Sequence, residues 1–135
     1  MSQAQQTRAL AHVDPLTVGI VVLAVAAAVI HLRLGILLGP PSLRPFPLVF
    51  YLNALGYLVL VTALYAPPSH PVQRVVRWVF IAYTALTFVL WFLLAPKRDP
   101  VGYSTIVIEA VLVMLLIVDD RRSARGGGGG VGRTA

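Results

Sequence analysis

His31 and Glu109 are ionisable residues that stand inside long apolar stretches of this sequence. A charged side chain in hydrocarbon costs several kcal/mol unless it is paired, hydrated or long enough to reach the interface. Because Glu109 is too short to reach the interface, we expect it to be paired or protonated. A histidine facing this carboxyl group could be a structural partner or part of a site for a hydrogen-bonding ligand.

Polar residues from four apolar stretches fall into one layer. Their depth is counted from the side that holds the first and third connecting loops, at about 1.5 Å per helical residue. The depths lie between about 6 and 12 Å, so every stretch contributes to the layer. Six residues form it, namely His31 and Arg33, Asn53, Thr87 and Trp91, and Glu109.

His31 and Arg33 cannot both face the interior of a bundle, because residues two apart lie about 200° apart around a helix. The Arg33 side chain is long enough to reach the interface. We therefore predict that His31 faces inward and meets Glu109, while Asn53 supplies hydrogen bonds from a neighbouring helix. His31 shares its face with small residues that let helices approach closely, which are Ala24, Ala27, Ala28 and Gly35.

This polar layer supports two interpretations. One is a buried network of His31, Glu109 and Asn53 that sets the register of the helices. The other is a small cavity, open to the outer face, that holds a proton-active or hydrogen-bonding ligand such as a quinone head group. A b-type haem is not expected, because it usually needs two histidines and His12 and His70 are predicted on the opposite side. His31 and Glu109 lack a third good ligand for a metal ion.

The elements that must position these residues are four apolar stretches, at 16–38, 48–65, 75–95 and 103–118. About 20 helical residues cross the hydrocarbon core, and backbone polar groups in lipid must be satisfied within the span. Proline and glycine residues lie between the stretches, and the links are short. The sequence therefore predicts an all-α integral membrane protein, an up-down bundle of four helices.

The composition agrees with this fold class. Of the 135 residues, 58% are hydrophobic and 12% are charged, whereas about a quarter of the residues in a soluble domain are charged. The chain has no cysteine, which excludes thiolate metal sites and a thiol nucleophile. It also lacks a phosphate-binding loop, a nucleophile elbow and a zinc-protease motif. We therefore expect no enzymatic activity of its own.

The distribution of basic residues along the chain predicts the orientation. Seven arginines lie with the N-terminus, the second loop and the C-terminus, against four basic residues on the opposite side. The positive-inside rule then places both termini of this multi-pass cell-membrane protein in the cytoplasm. The net charge of +6 is thus mostly a signal of topology, and we expect no nucleic-acid partner.

The four spans divide the chain into three regions. We predict a cytoplasmic segment over residues 1–14, a transmembrane domain over 15–118 and a flexible, glycine-rich tail over 119–135. The lipid bilayer is the first partner of such a chain. Three arginines of the tail could contact anionic lipid headgroups, namely Arg121, Arg122 and Arg125.

Three segments carry a resemblance to a known group of proteins, namely 30–35 (IHLRLG), 50–57 (FYLNALGY) and 88–92 (FVLWF). Over residues 14–120 the chain resembles small four-helix membrane proteins of bacteria and archaea that are broadly DoxX-like in size and helix count. Some members of such families are accessory subunits of quinone-linked redox systems, so the resemblance implies a similar role here. It carries no catalytic residue over to this sequence.

Three functions remain open. The leading hypothesis is a non-catalytic accessory subunit that packs against other integral membrane proteins, for example in an electron-transfer complex. The second is a membrane protein that binds a quinone or another small ligand at the layer of His31, Glu109 and Asn53. The third is a transporter or channel that works as an oligomer, although the spans are unbroken near their middle, where transport sites often have interrupted helices.

Overall fold

The computed structural model describes residues 14–39, 46–66, 70–94 and 100–126, and each of these segments contains one helix. Every helix is long and apolar enough to cross a membrane. Within the described residues, the prediction of an all-α fold with four such helices is therefore confirmed. The helices are α1 (Pro15–Leu37), α2 (Phe46–Tyr65), α3 (His70–Leu94) and α4 (Pro100–Gly126).

Each helix has a proline at its first or second position, where the missing N–H would have no intrahelical partner. The side chain of Asp14 also caps α1 by accepting a hydrogen bond from the Leu16 amide at 3.3 Å. At the other end of α1, Gly39 has a φ of +96°, which glycine adopts without strain. The four prolines are Pro15, Pro47, Pro71 and Pro100.

The four helices form a ring in which each packs against two others. Helix α1 contacts α2 and α4, and helix α3 contacts the same two neighbours. Arg77 lies beside Asp119, whereas Thr87, further along α3, lies beside the earlier residue Glu109. Helices α3 and α4 therefore run antiparallel, as an up-down bundle requires.

Small residues on α1 allow close packing against its neighbours. Ala24 and Ala27 are fully buried, and Gly35 lies against the Tyr51 ring of α2. A Cβ atom at Gly35 would come within 3.2 Å of that ring, so a larger residue would require the Tyr51 ring to shift. Larger side chains from the other helices complete the core, including Tyr57, Phe80, Leu112 and Leu116.

Two helices extend by five residues or more beyond the apolar stretches predicted from the sequence. Helix α3 begins at His70 and not at 75, and α4 continues from 118 to Gly126. An apolar stretch marks the part suited to lipid, whereas a helix continues through polar residues whose side chains are solvated or paired. The first part of the predicted flexible tail is therefore helical, while residues 1–13 and 127–135 lie outside the described residues.

Candidate functional site

Glu109 of α4 lies at the centre of the bundle, where it meets one polar side chain from each of the other helices. Its carboxyl oxygen Oε1 accepts a hydrogen bond from the Tyr57 hydroxyl at 2.8 Å and lies 3.2 Å from the Thr87 hydroxyl. His31 Nε2 is 3.8 Å from the same oxygen. We call these four residues the carboxyl cluster. Tyr57 and Glu109 join α2 and α4, which are on opposite sides of the ring.

The His31 ring has a defined orientation in the cluster. Its Nδ1 atom is 2.8 Å from the carbonyl oxygen of Ala27, one turn earlier in α1. Because a carbonyl oxygen only accepts hydrogen bonds, Nδ1 must carry a hydrogen. In a neutral ring Nε2 then carries a lone pair. It lies 3.8 Å from Glu109 Oε1, which is too far for a hydrogen bond, so the two groups form an ion pair only when His31 is protonated and Glu109 is ionised.

The Thr87 hydroxyl has more acceptors within reach than it can use at once. It lies 2.8 Å from the carbonyl oxygen of Thr84, 3.0 Å from the Tyr57 hydroxyl and 3.2 Å from Glu109 Oε1. A hydroxyl group has a single hydrogen to donate. The cluster can therefore rearrange its hydrogen bonds by hydroxyl rotation alone, without moving a helix.

Asn53 belongs to a neighbouring pair and does not contact Glu109. Its side-chain oxygen accepts a hydrogen bond from the Tyr83 hydroxyl at 2.5 Å, and its main-chain oxygen lies 3.2 Å from the same hydroxyl. The Tyr83 ring packs edge-on against Tyr57, with 5.4 Å between ring centroids. Gly56 makes this approach possible, because a Cβ atom there would collide with the Tyr83 hydroxyl.

Arg33 and Trp91, also predicted in the polar layer, lie away from the carboxyl cluster. Arg33 is exposed and makes no hydrogen bond or ion pair with any residue that the structure describes. The reason is helical geometry, since inward placement of His31 turns Arg33 outward. Trp91 covers Gly102 and packs against Tyr103 with a centroid distance of 5.6 Å, one turn beyond Thr87.

Tyr57 belongs to the carboxyl cluster but not to the polar layer that the sequence predicts. Tyrosines near span ends are typical of the interfacial aromatic belt, but Tyr57 is fully buried and bonds to both Glu109 and Thr87. A signal for this position was present in the sequence. Tyr57 lies near the middle of α2 and shares the helical spacing of the buried residues Ala54, Val61 and Leu64.

A second polar group links α3 to the end of α4. Arg77 is only 7% exposed, and its guanidinium contacts Asp119 at 2.7 Å and Asp120 at 3.3 Å. It also donates to the Ser123 hydroxyl at 3.3 Å. We call these four residues the arginine group. The predicted headgroup residues Arg121, Arg122 and Arg125 are all exposed on the same stretch of α4, with Arg122 3.7 Å from Asp14.

The polar groups of the interior are used within the chain. Every fully buried side-chain nitrogen or oxygen in the described segments has a hydrogen-bond partner. No three His, Cys, Asp or Glu side chains come together as a metal site within those segments. The carboxyl cluster is thus a set of hydrogen bonds around one carboxyl group, suited to fixing helices or holding a proton.

Comparison with known proteins gives no match to a family model, to a curated protein or to a solved structure. The resemblance to DoxX-like proteins stays a prediction.

Proposed function

We propose that the chain is an integral membrane protein that crosses the bilayer four times. The polarity of the described bundle supports this, because its carboxyl cluster is inside and large apolar side chains cover the outside of all four helices. Four examples are between 57% and 73% exposed, namely Val22, Val49, Leu93 and Val107. Such a surface is stable against lipid, whereas in water it would associate.

Within the membrane, we propose the role of a non-catalytic accessory subunit that packs against larger membrane proteins, for example those of an electron-transfer complex. The supporting observation is that the buried polar groups of the described bundle bond to one another. Such bonds fix the helices, and contact with a partner would then fall on the apolar outer faces. A polar network that serves only to join helices is common in membrane proteins.

Cysteine labelling tests the membrane insertion and its direction. The sequence has no cysteine, so a single introduced thiol is the only reactive one. We expect Ser69→Cys and Ser123→Cys to react with a membrane-impermeant maleimide only after the cytoplasmic face is opened. Ser42→Cys should react from the outside of intact cells. Labelling of all three positions from the same face would contradict four crossings.

Purification from the native membrane in a mild detergent tests the subunit role. We expect larger membrane proteins to co-migrate with the chain at fixed stoichiometry through two successive separations. His31→Asn, which changes the interior alone, should leave this association intact. Val49→Trp and Val22→Trp change the outer faces of α2 and α1. Comparing association in these two variants shows which of the two faces contacts the larger proteins. A single, monodisperse species of the chain alone would contradict the proposal.

A further inference from the structure

A groove between α3 and α4 leads from the outer surface of the bundle to Glu109. Its volume is about 270 Å³, and its lining includes Ala85 and Phe88 of α3 with Glu109, Ala110 and Met114 of α4. Ala85, Ala110 and Met114 are exposed, whereas Glu109 is buried. The groove therefore opens sideways, toward the lipid in a membrane, and has the carboxyl group at its base.

The groove lies between two contacts that join α3 and α4 toward their ends, and the bond from Thr87 to Glu109 lies at its inner side. Near one end, Trp91 fits over Gly102 so closely that a Cβ atom there would lie 2.7 Å from the indole ring. Toward the other end, Arg77 pairs with Asp119. Between these two contacts the lining includes two alanines, whose small side chains leave the space open.

One oxygen of the Glu109 carboxyl group has no hydrogen-bond donor among the described residues. The hydrogen bonds from Tyr57 and Thr87 both end on Oε1, and Oε2 accepts none from the residues that the structure describes. No fully buried side-chain oxygen in these segments lacks a partner. Oε2 is therefore not fully buried. Since Glu109 lines the groove, we place the accessible edge of this oxygen there.

We propose that the groove binds the hydroxyl-bearing head group of a lipid-soluble molecule, which enters from the bilayer and donates a hydrogen bond to Glu109 Oε2. The walls are mainly apolar, and the Phe88 ring offers a surface for a flat head group. A volume of about 270 Å³ holds a ring and leaves an alkyl tail in the lipid. The inference rests on the proposed membrane insertion, which cysteine labelling tests separately, and is independent of the subunit role.

A matched pair of probes tests the donor requirement. The full chain in lipid nanodiscs is titrated with n-decyl hydroquinone and with the corresponding quinone, and binding to empty nanodiscs is subtracted. The two probes share a tail and a ring, but only the hydroquinone donates hydrogen bonds. We expect the hydroquinone to bind about tenfold more tightly, as the loss of one hydrogen bond to a buried carboxyl oxygen predicts. Equal binding, tighter binding of the quinone or no saturable binding would overturn the proposal.

Two substitutions on α3 test the position of the site. Ala85→Phe fills the groove without changing the carboxyl cluster, and we expect it to weaken hydroquinone binding at least about tenfold. Ala82→Phe is the control, because Ala82 is also exposed, lies one turn earlier and does not line this groove. Equal binding by the two variants would overturn the assignment to the groove.

Glu109→Gln tests the role of the carboxyl oxygen. The amide keeps a carbonyl oxygen for Tyr57 and Thr87 and turns its N–H donors toward the groove. We expect the preference to reverse, so that the quinone binds more tightly than the hydroquinone. An unchanged preference for the hydroquinone in this variant would contradict the contact with Oε2.

A third probe identifies the source of the hydroxyl group. If n-dodecanol displaces hydroquinone from the groove at concentrations equal to those of the hydroquinone, a lipid alcohol is supported as the ligand. If n-dodecanol does not displace the hydroquinone, a ring head group is supported. Either result supports a hydroxyl donor in the groove, whereas displacement by n-dodecane would overturn it.

Discussion

The carboxyl cluster and the arginine group satisfy buried polar side chains in different ways. In the cluster, one acidic residue is surrounded by neutral hydroxyl groups and an imidazole, and its closest polar contact is 2.8 Å. In the arginine group, a guanidinium that is always charged lies between two carboxylates at 2.7 and 3.3 Å. The first lies between helices at the centre of the bundle, and the second lies toward its end.

The difference follows from the cost of burying charge. A full ion pair needs close geometry and several hydrogen bonds to offset its desolvation, and Arg77 obtains these from three residues of the last turns of α4. Near the middle of the apolar bundle, Glu109 instead accepts hydrogen bonds from hydroxyl groups, which carry no charge. The two regions therefore differ in their partners, which are hydroxyl groups at the centre and groups of opposite charge toward the end.

The largest effect on stability is expected for Arg77→Met. This change leaves Asp119 and Asp120 adjacent and unpaired, with side chains only 17% and 16% exposed. The free energy of unfolding should fall by about 3 kcal/mol, the cost of leaving a buried charge without its partner. Unfolding in mixed detergent micelles measures it. Adding Asp119→Asn and Asp120→Asn should recover most of the loss, and the exposed Arg74→Met is the control.

A smaller effect is expected at the carboxyl cluster. Glu109→Leu should lower the free energy of unfolding by about 2 kcal/mol, and Tyr57→Phe by about 1 kcal/mol, because the remaining hydroxyl groups keep other partners. The same unfolding measurement compares these values with that for Arg77→Met. Tyr51→Phe is the control, since Tyr51 is half-buried outside the cluster. A loss at Glu109 greater than at Arg77 would reverse the proposed order.

The smallest effect is expected for Arg33→Gln. Arg33 is exposed and pairs with no described residue, so its replacement should change the free energy of unfolding by less than about 0.5 kcal/mol. His31→Gln, two residues away on the inward face, should cost more because it removes the ring that faces Glu109. If both variants behaved alike, the separation of the two faces of α1 would have no energetic basis.

Several features of the fold could be predicted from individual residues. The length and apolarity of the four stretches predict four helices, because only about 20 apolar residues in a helix match the hydrocarbon core. The spacing of Ala24, Ala27 and His31 predicts one inward face of α1, on which the structure buries all three. Both predictions depend on periodicity, which a sequence contains directly.

The partners within the polar layer could not be predicted in the same way. Asn53 and Tyr57 lie one turn apart on α2, and either could approach Glu109 on depth alone. The structure places Tyr57 against Glu109 and Asn53 against Tyr83. Which of them reaches the centre depends on the rotation of α2 and on the room that Gly56 leaves for Tyr83, and both are properties of packed helices.

Sequence alone therefore determined the four apolar helices of this protein, because hydropathy, helix length and proline positions act locally along the chain. Tertiary structure decided which polar groups meet. The pairing of Arg77 with Asp119 joins residues 42 positions apart, and that of Tyr57 with Glu109 joins residues 52 apart. The groove beside Glu109 likewise belongs to no single helix, since it is the space that two alanines leave between α3 and α4.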